Sequence, residues 1–327
     1  MQRHRVSHDY VPIASIQTSL RQAMPSTDGA AWRRNLFVAT LAAMMAMPAF
    51  ALPVTLPALV SPANQEHHTG KVVFVELVTP DLARAKQFYG ELFGWTFRDT
   101  QSGNFVYTEA SLYGRPVAGL MQKSIPPGEH RQPAWLTFIA SADVDAVKNT
   151  ALQHGAKLLL APRNVPDRGR EAIFSDPQGA VFAVLASTSG DPADVLAVSG
   201  EWIWSSLITT DPDAAAAFYQ SLFDYEVFEL PASPGAEHLM LASDNYARAS
   251  ANSLPMERAI TPPYWLNYVR VDNVTKMAEK AIASGGKVLV EPRIDRHGGK
   301  VAVVSDPSGA TFGLIEWPDT ESKEVGK

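Results

Sequence analysis

The 327-residue chain contains no cysteine. Disulfides, thiolate metal sites, thiol catalysis and cysteine lipidation are thereby excluded. Positive charge is not in surplus: 28 Lys and Arg stand against 34 Asp and Glu, for a net charge of −6. That balance leaves no electrostatic footprint for nucleic acid, and none is expected as a partner. No nucleophile elbow, Gly-rich phosphate loop or paired His-Asp motif occurs. What remains is an ordinary globular composition, 46% hydrophobic and 19% charged. The length allows two domains, each with a core of its own.

The N-terminus reads as an address. Arg33-Arg34 precede the apolar run "NLFVATLAAMMAMPAFA", which closes on Ala49-Phe50-Ala51. This is a positive n-region, an h-region and an A-x-A cleavage site. The run is short and interrupted by Pro48, so it does not read as a membrane span. "RRNLF" resembles a twin-arginine export signal, with Trp32 where Ser or Thr usually stands. Residues 1–51 are therefore expected to be a signal peptide, with either Met1 or Met24 as the start. The mature protein is expected in the periplasm or outside the cell. The alternative is an uncleaved helix that holds it at the membrane. Leu52–Gly70 reads as a Pro-rich, poorly structured linker.

Beyond this linker the chain repeats itself. Phe88-Tyr89 recurs as Phe218-Tyr219, an offset of 130 positions. The same offset links Asp81 with Asp211, Pro133-x-Trp135 with Pro263-x-Trp265, and Pro162-Arg163 with Pro292-Arg293. It also links "SDPQGAVF" at Ser175 with "SDPSGATF" at Ser305. A domain-length period means duplication rather than a solenoid. Two domains follow, at 71–190 and 199–318, with a linker over 191–198 and a tail over 319–327.

Within the first copy, "KVVFVELV" alternates as a strand does. "PDLARAKQFYGELFG" is a helix capped by Asp81 and stopped by Gly94, with Leu82, Ala85, Phe88, Tyr89, Leu92 and Phe93 on one face. Three short strands follow: "WTFRDT", "NFVYTEA" and "PVAGLMQ". The order then restarts with "AWLTFIAS", a helix ending at Gly155, and three more strands. Asp176-Pro177-Gln178-Gly179 fits a type I turn between the last two.

Two strand-helix-strand-strand-strand modules per domain, with "FVEL", "FYGELFGW", "GRPVAGL", "PAW" and "GREAIFSDPQGA" in this order, resemble the vicinal oxygen chelate superfamily. This is the fold of glyoxalase I, bleomycin-resistance proteins and extradiol dioxygenases. The resemblance covers nearly all of 71–318. In the second copy Gly94-Trp95 becomes Asp224-Tyr225, and "GRPVAGL" is not recognisable. The implied fold is α+β: two tandem domains, each of two βαβββ modules forming a cup-shaped mixed sheet that takes ligands on its concave face.

Enzymes of this superfamily usually hold one divalent metal, with His or Glu ligands on the first strand of each module and Glu on the last strand of the second. The resemblance puts those positions at Phe74, Leu136 and Ala183 in the first domain, and at Trp204, Leu266 and Gly313 in the second. None of the six can ligate a metal, and a slip of one residue supplies no ligand. No metal cofactor is therefore expected.

Other residues remain as candidates. Glu76 shares the inward face of its strand with Phe74. It is either a cavity carboxylate whose burial suits it to proton transfer, or a salt-bridged or hydrogen-bonded group at the rim. Tyr107 and Glu109 face one way on a neighbouring strand and either line the cup or, for Glu109, meet solvent. Phe74, Trp135, Trp204 and Trp265 either line an aromatic pocket or fill the space a metal has vacated. Arg170 and Lys300 match in the repeat and suit either an anionic ligand or a protected strand edge. The histidines His130, His154, His238 and His297 are not paired at ligand spacing, and His67-His68 in the linker suit only adventitious metal.

Three functions compete: a metal-independent small-molecule binder, a glyoxalase- or dioxygenase-type enzyme using Glu76 for acid/base chemistry or non-standard ligands such as Glu76 and Glu109, and a structural or interaction module. A monomer or a homodimer is expected, because tandem duplication supplies the domain pairing within one chain.

Overall fold

The computed structural model describes residues 55–102, 105–124, 133–229, 238–254, 262–294 and 299–317. The proposed signal peptide, the C-terminal tail, His130 and His297 lie outside these residues.

The first domain opens with β1 (Val72–Thr79), α1 (Leu82–Phe93), β2 (Thr96–Ser102), β3 (Phe105–Leu112) and β4 (Arg115–Gln122). Its second module is β5 (Ala134–Ala140), α2 (Val144–Gln153), β6 (Lys157–Val165), β7 (Gly169–Ser175) and β8 (Val181–Ser187). The second domain repeats this as β9 (Trp202–Thr209), α3 (Pro212–Phe223), β10 (Glu226–Glu229), β11 (His238–Ser243), β12 (Tyr246–Ser253), then β13 (Tyr264–Arg270), α4 (Val274–Ala283), β14 (Lys287–Ile294), β15 (Lys300–Ser305) and β16 (Thr311–Ile315). Each domain forms one eight-stranded sheet, in the order β2-β3-β4-β1-β5-β8-β7-β6 and its equivalent β10-β11-β12-β9-β13-β16-β15-β14. The two modules of a sheet meet at an antiparallel seam, β1 with β5 and β9 with β13.

Local chemistry sets the helix ends. The Asp81 carboxylate accepts from the Arg84 amide at 3.0 Å and caps α1. Gly94 ends α1 at φ 75°, a left-handed position that suits glycine. At the repeat position Asp224 takes the same conformation at φ 55°, which a short polar side chain tolerates.

The helices lie in a layer between the two sheets. Phe88, Tyr89, Leu92 and Phe93 of α1 join Val274, Ala278, Phe312 and Leu314 of the second domain in one core. Phe218, Tyr219 and Phe223 of α3 join Val147, Phe174 and Phe182 of the first. Domain pairing therefore buries the apolar faces of α1 and α3, at roughly 1.5–3 kcal/mol for each large side chain.

The polar contacts in this layer come in matched pairs. Trp95 donates to the Gly200 carbonyl at 2.8 Å. Its repeat mate Tyr225 donates to the Gly70 carbonyl. The drift from Trp95 to Tyr225 thus keeps a donor for the same purpose. Near the centre, the mates Thr137 and Asn267 bond each other, with Asn267 Nδ2 donating to the Thr137 hydroxyl at 3.0 Å.

One segment departs from expectation. Residues 55–69 carry no helix or strand, yet they are not a loose linker. Leu56 and Leu59 are buried, packed on the face of the first sheet turned away from the helices. Backbone and side-chain bonds fix them: Leu56 N to Pro166 O at 3.3 Å, Val60 N to Ser189 Oγ at 3.1 Å, and His68 N to Asp191 Oδ2 at 2.7 Å. Burial of two leucines, not secondary structure, is what orders this strap.

Candidate functional site

Alternation along a strand sends neighbouring residues to opposite faces. On β5, Leu136 and Phe138 point outward, away from the helices, and Trp135 points into the inter-domain layer. Trp135 and Trp265 therefore do not line the cup, contrary to the sequence expectation. Each donates through Nε1 to a tyrosine hydroxyl, Trp135 to Tyr89 at 3.1 Å and Trp265 to Tyr219 at 3.0 Å. Each tyrosine in turn donates to the aspartate of the other domain's DPxG turn, Tyr89 to Asp306 at 3.3 Å and Tyr219 to Asp176 at 3.2 Å. The second oxygen of each aspartate accepts three backbone N–H groups, from 178–180 and from 308–310. The recurring FY, PxW and DPxG motifs thus form a relay that joins the domains. Burial raises the pKa of both tyrosines well above the phenol range, so they stay protonated as donors.

The outer face of the first sheet is half apolar and half polar. Phe74, Leu136, Phe138, Ile173 and Ala183 pack with Leu59 of the strap. Glu76 and Glu109 flank Gly119 in one row across the sheet. Glu76 is 4% exposed and Tyr107 fully buried, and the Tyr107 hydroxyl lies beside the Glu76 carboxylate over Gly119 and favours its charged form. Gly119 makes this possible: a Cβ there would collide with the Tyr107 hydroxyl and crowd Glu76 Oε2 at 3.1 Å. Arg168, 3% exposed, donates from Nη2 to the Tyr107 hydroxyl at 3.1 Å and stacks over the Phe74 ring at 4.3 Å. The three side chains form a chain, Arg168 to Tyr107 to Glu76, at the bottom of the outer face.

Burial pushes the Glu76 carboxyl up from 4.5 to about 7, and the charge of Glu171 adds to this. The charges of Arg168 and Arg163 oppose the rise, and the Tyr107 hydroxyl does so to a smaller extent. Glu76 is thus a buried carboxyl without an ion pair among the described residues, and it changes charge near neutrality. Burial likewise pushes the Tyr107 phenol well up. Glu109 is buried and held by Arg98 at 3.0 Å. Glu171 takes two bonds from Arg163, at 2.9 and 2.7 Å.

The second domain differs. Ser206 replaces Glu76 and bonds Ser250 at 2.9 Å. Trp204 does face outward and donates to the same Ser250 hydroxyl at 3.2 Å. The Tyr268 ring lies directly over Gly313, where any Cβ would collide with it. Leu266, Tyr268, Trp204 and Trp317 fill that face.

All six superfamily ligand positions therefore carry Phe74, Leu136, Ala183, Trp204, Leu266 or Gly313, side chains without a donor atom apart from the committed indole of Trp204. These residues do not fit a metal. Among the described residues no group of three or more His, Asp or Glu could hold one. Arg170 does not reach the site: it donates to Asp145 at 2.6 Å and to Asn164 at 2.9 Å. Lys300 reaches Thr275 at 3.0 Å. Sequence reasoning missed Arg168, two residues before Arg170. Its only mark was "GR" following it, and its repeat position is Gly298, so the duplication gave no signal.

Paired βαβββ modules closing one eight-stranded sheet, twice in tandem, define the class. The chain belongs to the Glyoxalase/Bleomycin resistance protein/Dioxygenase superfamily, whose model matches residues 68–184 and 203–314. It is 33% identical over 259 residues to "Putative glyoxylase CFP32" of Mycobacterium tuberculosis, covering 78% of this chain and 98% of that one. It is 30% identical over 261 residues to the anthracycline biosynthesis protein DauV of Streptomyces sp., covering 76% and 93%. The fold is similar to that of a Mn(II)-bound glyoxalase from Novosphingobium aromaticivorans, at a TM-score of 0.54 and 15% identity over 76% of this chain and 83% of that one. The 2,3-dioxygenase LapB from Pseudomonas sp. KL28 gives a TM-score of 0.53 at 11% identity, over 79% and 96%.

Proposed function

We propose that the first domain binds a small molecule on its outer face without a metal at the superfamily's ligand positions. The observation that carries this reading is the Arg168–Tyr107–Glu76 chain beside the apolar wall of Phe74, Leu136 and Phe138. A few convergent polar groups against an apolar wall are what small-molecule sites use. Leu56 and Leu59 roof this face, so a ligand enters by displacing the strap. The relatives named for a glyoxylase and for anthracycline biosynthesis support a small-molecule role. The test is a thermal-shift screen of small carbonyl and aromatic compounds on wild type and Glu76→Gln. A compound that stabilises the wild type and loses its effect in Glu76→Gln supports the reading. Compounds that act equally on both, or none at all, refute it.

A second reading is an acid/base enzyme of glyoxalase or dioxygenase type. A buried Glu76 that titrates at about 7 favours it. In that case Glu76 moves the proton and Tyr107 orients it. The interaction-module reading has less support, because Trp135, Trp204 and Trp265 are all buried.

Export is part of the proposal and rests on the pattern of residues 1–51 alone. No helix among the described residues is long and apolar enough to cross a membrane. N-terminal sequencing of the secreted chain should begin at Leu52; a chain that keeps residues 1–51 at the membrane would support the anchor alternative.

A further inference from the structure

This inference rests on the small-molecule reading of the first domain and names the chemistry of the ligand. The charged groups on the outer face are mostly accounted for. Glu171 takes both bonds from Arg163. Glu109 takes Arg98. Glu76 lies beside the Tyr107 hydroxyl. Arg168 is left over. Its Nη2 has only a phenol for partner, and its buried Nε–H has no partner at all. No ion pair ties it to a carboxylate among the described residues.

A guanidinium at 3% exposure with no ion pair among the described residues and an unfilled Nε–H is costly to hold. The aromatic face of Phe74 offsets part of that cost. It does so in a telling place, because Phe74 stands where the superfamily puts its first metal ligand. Positive charge is thus kept at that end of the site, carried by an arginine. A planar fork with a free Nε–H is the shape that recognises a carboxylate.

We propose that Arg168 is the anion receptor of the first domain, and that its ligand is a small organic monocarboxylate. The carboxylate takes the Arg168 Nε–H. The apolar body lies on Phe74, Leu136 and Phe138, in the space that Leu56 and Leu59 now close.

The probes are benzoate, its neutral isostere benzamide, and the wild-type full chain labelled with ¹⁵N-arginine. Benzoate should shift the Arg168 Nε–H resonance. The Arg163 Nε–H, already committed to Glu171, is an internal control and should not move. Benzamide should leave both unmoved. By isothermal titration, Arg168→Met should weaken benzoate at least about tenfold, and Arg168→Lys should recover part of the loss. If Arg168→Met fails to fold, the resonance in the wild type still decides. An unmoved Arg168 Nε–H at saturating benzoate overturns the inference, as does equal binding of benzamide, or no benzoate binding. If benzoate fails while a neutral compound binds in a Glu76-dependent way, the carboxylate assignment falls and the small-molecule reading stands. If nothing binds, both fall.

Discussion

Replacing Glu76 with glutamine should flatten the pH dependence of stability in a way that can be worked out in advance. The carboxyl titrates at about 7 in the folded chain against 4.5 ordinarily, chiefly because it is buried. Below pH 4.5 it is protonated in both the folded and unfolded states and contributes nothing. Between 4.5 and 7 only the unfolded state gives up its proton, so stability falls as pH rises. Above 7 both states are ionised and the penalty is constant, at about 3 kcal/mol. Between pH 5 and pH 8 roughly 2.5 kcal/mol of this is lost. Every other titrating group is common to wild type and Glu76→Gln, so subtracting the two profiles isolates Glu76. The assay is urea denaturation of both proteins at pH 5 and pH 8. The wild type should lose about 2–3 kcal/mol more than Glu76→Gln over this interval. Parallel profiles would refute the claim that Glu76 is buried without a salt bridge.

Other outcomes follow from the same contacts. Tyr107→Phe removes the hydroxyl that helps hold the Glu76 pKa down, so the Glu76 midpoint, read by carboxyl ¹³C NMR, should rise above its wild-type value. Gly119→Ala drives a methyl into the Tyr107 hydroxyl and should cost about 1–3 kcal/mol in denaturation. Tyr89→Phe and Tyr219→Phe each strand a buried Trp donor and an Asp oxygen. Each should cost about 1–3 kcal/mol. The double variant should be near additive because the two relays share no partner.

The offset of 130 positions disclosed both domains, and the alternation of "KVVFVELV" and the apolar face of α1 disclosed their modules. What the offset cannot disclose is which motif of one copy meets which motif of the other. Phe88-Tyr89 and Ser305-Asp306 lie far apart in sequence, and only the sheet geometry joins Tyr89 to Asp306. For the same reason the PxW motif does not by itself reveal that Trp135 faces the other domain; only period-two alternation, set against the outward Leu136 beside it, does. Glu76 and Tyr107 were legible because each sits on a strand whose facing can be counted. Arg168 sits in the β6–β7 turn after Asp167, at φ 64°, where no periodicity applies. The strap is invisible in the sequence because Pro-rich composition reports an absence of secondary structure, not an absence of burial.

The central claim is that the first domain's outer face works through its own side chains and not through a metal at the superfamily positions. The most direct test is elemental analysis of the chain from Leu52 on, without a His-tag, after dialysis against mixed divalent cations. His67→Ala/His68→Ala serves as the control for adventitious binding. The account predicts well under one metal per chain, unchanged by Glu76→Gln. One metal per chain, kept in the histidine control and lost in Glu76→Gln, would contradict it.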